Sequence, residues 1–395
     1  MSRCYLCGTL LNESNRSVEH IIPNAIGGHL KSKNLLCKDC NSNTGQKIDA
    51  EISKQLNFFA NMLNIERDRG KPQEFKVKDE STGEIYRCLP GGIPSRIKPE
   101  IIQDNNQIKM KAPNEKIAKQ LLNQIKSQNP DLEIDQVISK SERSREYINN
   151  WCKFNVPIGG ADAFKSIYKT ALSFYIYSGG SSYYITNIKQ IISDEIMIFN
   201  YVKPCYLGYE IVEKDSKEVL HSILIKGNKE TGKLYCYIEY FNAFKYAVLL
   251  NNDYNGEDIN QSYIFNVLNR QEILERDISQ TWFYDINNIF NSLEWNQILF
   301  KDSLENLMKI ISDKQHNNHL NILICEAWEN TMNMMGLSEG DKITEEVYDV
   351  LIKNIIDSVM PYLVRFIQKK IIRYIIIRKL YVCKGAVTEC GFTAF

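Results

Sequence analysis

The chain has 395 residues, of which 44% are hydrophobic and 24% charged, a make-up that excludes a largely disordered protein. Its 48 basic and 48 acidic residues cancel. Binding to nucleic acid through overall basicity is therefore excluded, and any basic surface is local. The length allows one large core or about two to three smaller ones.

Eleven cysteines are present, and four of them form two Cys-x-x-Cys pairs, Cys4/Cys7 and Cys37/Cys40. The other seven are scattered with no framework spacing. An odd total in a long chain, with no room for a targeting segment before Cys4, predicts the reducing cytoplasm. Four thiolates at this spacing suit a tetrahedral structural zinc, whereas a redox centre needs only one pair. Zinc binding supplies folding energy on the order of 10 kcal/mol, which suits a segment too short to bury its own core.

Between the pairs lie Glu19-His20-Ile21-Ile22-Pro23, then Gly27-Gly28, then Asn34-Leu35-Leu36, and Asn41 directly follows Cys40. Together these resemble the HNH endonuclease family, the ββα-metal nucleases, over Cys4 to about Asp49. The resemblance implies an N-terminal ββα-metal module. It makes His20 the general base, Glu19 an acidic ligand of a catalytic divalent ion, and Asn34 the brace of the histidine loop. Asn41 takes the place of the last metal ligand. Only two residues separate Asn34 from Cys37, so Asn43 competes with Asn41 for that role. Hard oxygen ligands favour Mg2+ or Mn2+. Gly27-Gly28 reads as turn chemistry, and His29 as a solvated turn residue, with a contact to phosphate as the alternative.

Further along, Ile48, Ile52, Leu56, Phe59 and Leu63 recur at helical spacing and predict a helix leaving the module. We place the module at residues 1–65 and a larger mixed region at 66–395, giving an α+β protein overall. Residues 75–101 read as strand-rich, with Ser81-Thr82-Gly83 as a hairpin turn and Gly91-Gly92 as a bend. Ile117, Leu121 and Ile125 predict a short helix, and 162–177 a stronger one with a broad apolar face. A hairpin follows, Ser222–Lys226 with Leu234–Leu250, whose second arm is apolar on both faces and so covered on both sides. From about Gln261 the pattern reads as helical, with Val347, Leu351, Ile355 and Val359 ahead of Pro361. His316 and His319 read as part of a polar loop or helix start.

Seven basic residues from Arg365 to Lys384 face only Glu389. They read as snorkelling charges on a packed element, or as a backbone contact to DNA. Ile371–Val382 is too short and too charged to span a bilayer. The functional expectation is an HNH endonuclease acting on DNA, most readily double-stranded, with RNA as the other substrate. The remainder would select the target, mediate assembly or gate activity, as in a restriction or anti-phage effector. Cutting both strands with one active site calls for a homo-oligomer or a second visit. The rival expectation is a non-catalytic zinc module for DNA or protein recognition.

Overall fold

The computed structural model describes residues 2–104, 107–127, 130, 133–139, 147–148, 152–185, 187–192, 197–292, 295–380 and 391–394. Helices and antiparallel sheets are both abundant, so the α+β expectation holds. Residues 1–307 with 390–395 form one compact unit and residues 308–389 a second.

The chain begins with a two-stranded hairpin, Glu19–His20 against Lys31–Ser32. A nearly continuous helix follows, from Lys38–Thr44 through a π-type stretch at Gly45–Asp49 to Ala50–Met62. This is a ββα arrangement. The predicted helix thus starts about ten residues earlier than its apolar period shows, because its first turns carry Cys40 and Asn41 and not core residues.

The C-terminal half of that helix is buried almost all round. Phe58 stacks on Phe154, and Phe59 meets Phe244 edge-on. Gln55 closes a two-way hydrogen bond with the backbone of Gly159. The helix is therefore a shared core element, and Phe58 and Phe59 face two different neighbours.

A small sheet holds Phe75–Asp79, Ile85–Leu89, Ile93–Arg96 and Cys152–Asn155. The predicted turn at Ser81–Gly83 is there. Asp79 accepts the backbone N–H of Ser81 and Thr82, and Gly83 takes φ +72.

The main sheet has six antiparallel strands in the order 271–272, 259–266, 220–228, 233–240, 244–251, 202–204. Helix Ala161–Tyr177 packs on one face. Trp282, Phe283 and Ile286 of helix Trp282–Asn291 cover Leu224, Tyr235, Tyr237 and Ile264. The two-sided burial expected of the 234–240 arm follows from these two layers.

Two expectations need correction. The Leu234–Leu250 run is two strands, because Phe241 (φ 54) and Asn242 (φ 61) reverse the chain in left-handed backbone. Phe241 is held in that conformation by complete burial and by its ring against His221. The helical pattern from Gln261 is also displaced. Ile259–Asn266 is a strand, and regular helix resumes only at Trp282.

In the second unit, helix Gln297–Met335 supplies its main part and helix Glu345–Leu380 follows, running on through Pro361. His316 lies within the first helix, not in a loop, and stacks on Phe366. The side chains of the basic stretch from 369 onward lie outside the described residues. No described helix is long and apolar enough to cross a membrane.

Candidate active site and metal centre

The four paired cysteines converge, with all four sulfur atoms within 4.8 Å of one another. Cys4 leads into a tight turn closed by the Gly8 N–H on the Cys4 carbonyl, with Gly8 at φ +76. Cys37 is the N-cap of helix Lys38–Thr44, and Cys40 sits in its first turn. The partial positive charge of that helix end favours thiolates. Contact with Thr9 lowers the Cys7 thiol to about 6, while burial raises those of Cys4 and Cys40. A four-sulfur set of this kind fits a structural zinc. Among the described residues it is the only group of three or more His, Cys, Asp or Glu side chains so gathered.

The hairpin beside it presents His20 and Glu19 to opposite sides, as alternation on a strand requires. Glu19 is 3% exposed. Its carboxylate accepts a hydrogen bond from Lys169, whose ammonium also reaches Asp49 Oδ2 at 2.6 Å. Ser166 donates to the other Asp49 oxygen at 2.7 Å, and Tyr5 meets Ser173 at 2.8 Å. Ser166, Lys169 and Ser173 are three and four residues apart on helix Ala161–Tyr177, so one polar stripe docks the module. Burial pushes the Glu19 carboxyl up to about 7, against the pull of Lys169. Burial opposes the Lys169 charge too, yet Asp49 and Glu19 hold that ammonium above its usual range.

His20 faces the other way. Its side chain is 23% exposed, and Nε2 lies 3.1 Å from Asp68 Oδ2. The same carboxylate accepts Lys31 Nζ at 2.7 Å and Arg270 at 3.2 Å, and His29 Nδ1 lies 3.6 Å away. Hydrogen bonds from Lys31 and His20 hold the Asp68 carboxyl well below the usual carboxylate range. His29 also stacks on Phe265, at 5.5 Å and 13°. Its side chain is 47% exposed, so it is a solvated turn residue with one face on Phe265.

The loop that carries the hairpin is built on Ile21, Ile22 and Ile26, all buried. Gly28 is required there, since a Cβ would lie 1.9 Å from the Ile22 carbonyl oxygen. His221, fully buried in the main sheet, has Nε2 at 2.8 Å from the Ile26 carbonyl and so ties the loop down.

The asparagines are placed differently from one another. Asn41 donates to Ser17 Oγ and to the Val18 carbonyl, at 2.9 and 3.0 Å, bracing the strand just before Glu19. Asn34 is exposed, its own N–H bonded to Ser32 Oγ. Asn43 is exposed on the helix. The structure thus brings Asn41 to the Glu19–His20 strand and brings Glu19 to Lys169 and Asp49. A divalent ion on Glu19 would have to displace the Lys169 ammonium, so this donor set does not fit such an ion while Lys169 is in place.

Residues 4–57 match the HNH endonuclease family. No curated protein and no solved structure matched the chain. The match covers the cysteine cluster, the Glu19-His20 hairpin and most of the helix that follows, so the N-terminus is an HNH module. It stops short of Asp68, Lys169, His221 and Arg270, the groups that surround the HNH motif in space. Sequence reading missed all four. Lys169 and His221 left only a faint trace, as polar residues among the apolar ones of helix Ala161–Tyr177 and strand Leu220–Asn228. Asp68 lies in the charged run Glu66–Arg69 just past the helix, and Arg270 in a turn more than 200 residues from His20.

Proposed function

We propose that the HNH module hydrolyses phosphodiester bonds in DNA, with His20 taking the proton from the attacking water. The observation that carries this reading is the setting of His20. Its ring is at the solvent edge of the hairpin, with a carboxylate on one nitrogen and Lys31 and Arg270 around the same carboxylate. Imidazole is the side chain suited to take and return a proton near neutral pH. The four cysteines hold zinc on this reading and fix the hairpin against the helix. A divalent ion such as Mg2+ or Mn2+ would supply charge stabilisation at the phosphate only with the Lys169 ammonium moved off Glu19. The residues that would hold it are Glu19 with Asn41 or Asn43.

The size of the remainder beside so small a module supports a regulated role, such as a restriction or anti-phage effector in the cytoplasm. The buried Glu19–Lys169 pair favours one other reading, a zinc-held recognition module without catalysis. Plasmid cleavage with Mg2+ or Mn2+, comparing the native chain with His20→Ala and running RNA in parallel, separates them. Cleavage lost with His20 supports hydrolysis. Nucleic-acid binding without any cleavage supports recognition.

A further inference from the structure

We propose that Asp68, beyond the residues matched to the HNH family, is the positioning residue that fixes the ring of His20 with Nε2 protonated and Nδ1 turned to water. This rests on the hydrolytic reading above. The hydrogen bond itself stands on geometry. Asp68 Oδ2 is 3.1 Å from His20 Nε2. A carboxylate only accepts, so the shared proton belongs to Nε2, and in the neutral ring Nδ1 is then the basic nitrogen.

The carboxylate is anchored from three sides. The Asp68 backbone N–H donates to Asn24 Oδ1 at 3.0 Å, which ties it to the loop after His20. Lys31, cross-strand neighbour of His20, holds Oδ2. Arg270 holds Oδ1 from the main sheet and spans to Glu66 with its other nitrogen, at 2.7 Å.

Arg270 sits at φ 56, in left-handed backbone that a non-glycine residue adopts at a cost. Glycine would relieve that cost, so the turn is not chosen for its own stability. What Arg270 adds is a guanidinium on Asp68. The base of the module is thus oriented by residues from outside it, an arrangement of base and orienting carboxylate that recurs wherever imidazole must hold one tautomer.

The test uses the full-length, zinc-loaded chain. Long-range 1H–15N NMR on labelled histidines, with His20→Gln to identify the signal, is read well above the ordinary imidazole pKa. The native chain should show a protonated Nε2 and a bare Nδ1, and Asp68→Ala a mixture of tautomers. A bare Nε2 in the native chain overturns the proposal.

Plasmid cleavage supplies the second readout. Asp68→Ala should lower kcat by about 10²–10³-fold with KM within about twofold, in the range of a misplaced general base. It should add nothing in the His20→Ala background. A loss of the same factor in that background overturns the proposal. Asp68→Asn, nearly the same shape, guards against misfolding. It should lose activity with an unchanged melting temperature, and full activity in a folded Asp68→Asn chain overturns the assignment. Glu66→Gln, which removes only the other carboxylate on Arg270, should leave activity intact. If the native chain shows the protonated Nε2 yet cleaves nothing through His20, the hydrolytic reading falls and the hydrogen bond stands.

Discussion

Replacing Lys169 with methionine removes the cation that Glu19 and Asp49 share. Lys169 and Glu19 side chains are each 4% exposed and Asp49 is 17% exposed, so water replaces little of what is lost. Two carboxylates that met on one ammonium are left facing each other, and Ser166 helps only Asp49. Breaking a buried pair this way costs about 3–5 kcal/mol, against about 0–1 for a solvated one. The pH dependence has a definite sign. Burial has already raised the Glu19 carboxyl from 4.5 to about 7, and losing Lys169 raises it further. A carboxyl raised in the folded state favours folding at low pH and weighs against it as pH rises through that value. The deficit of Lys169→Met should therefore deepen from acid to mildly alkaline pH. Urea unfolding followed by circular dichroism at several pH values measures it, and Glu19→Gln with Lys169→Met should recover part of the loss. A deficit below about 1 kcal/mol, or one that does not grow with pH, would refute the buried cluster.

Other outcomes follow from the same geometry. Burial lowers the His221 imidazole from 6.5 to about 4, so its contribution to stability is present above pH 6.5 and lost as pH falls through about 4. That amounts to about 3 kcal/mol, and His221→Phe should remove this part of the acid sensitivity in unfolding curves taken across the range. Gly28→Ala drives a methyl group into the Ile22 carbonyl. It should lower the melting temperature and abolish cleavage together, and a stable, active variant would contradict the loop geometry. Metal analysis should find stoichiometric zinc in the native chain and little in Cys37→Ser, with chelation lowering the melting temperature of the native chain only.

What the sequence makes legible is what it encodes locally. The four cysteines, Glu19-His20, Gly27-Gly28 and the helix after Ile48 lie within 60 residues, and each has a spacing that its structure demands. The turn at Ser81–Gly83 and the helix at 162–177 are legible for the same reason. The split at Phe241-Asn242 is not, because no glycine or proline marks it and a buried phenylalanine takes the left-handed position. The strand at Ile259–Asn266 reads as helix because short apolar runs fit either period. The surroundings of the site are the least legible part. Asp68, Lys169, His221 and Arg270 reach the module from four different elements, and each acts through a contact that no spacing rule encodes. Even within the motif, spacing leaves the geometry open. Adjacent residues on a strand face opposite ways, and here Glu19 goes to the core and His20 to solvent.

The role of His20 as general base is tested most directly by plasmid cleavage by the native chain and by His20→Ala, with Mg2+ or Mn2+, at matched zinc content and melting temperature. Nicking or linearisation is expected from the native chain, with a loss of at least about 100-fold in the variant. Equal cleavage by the two folded proteins would contradict that role.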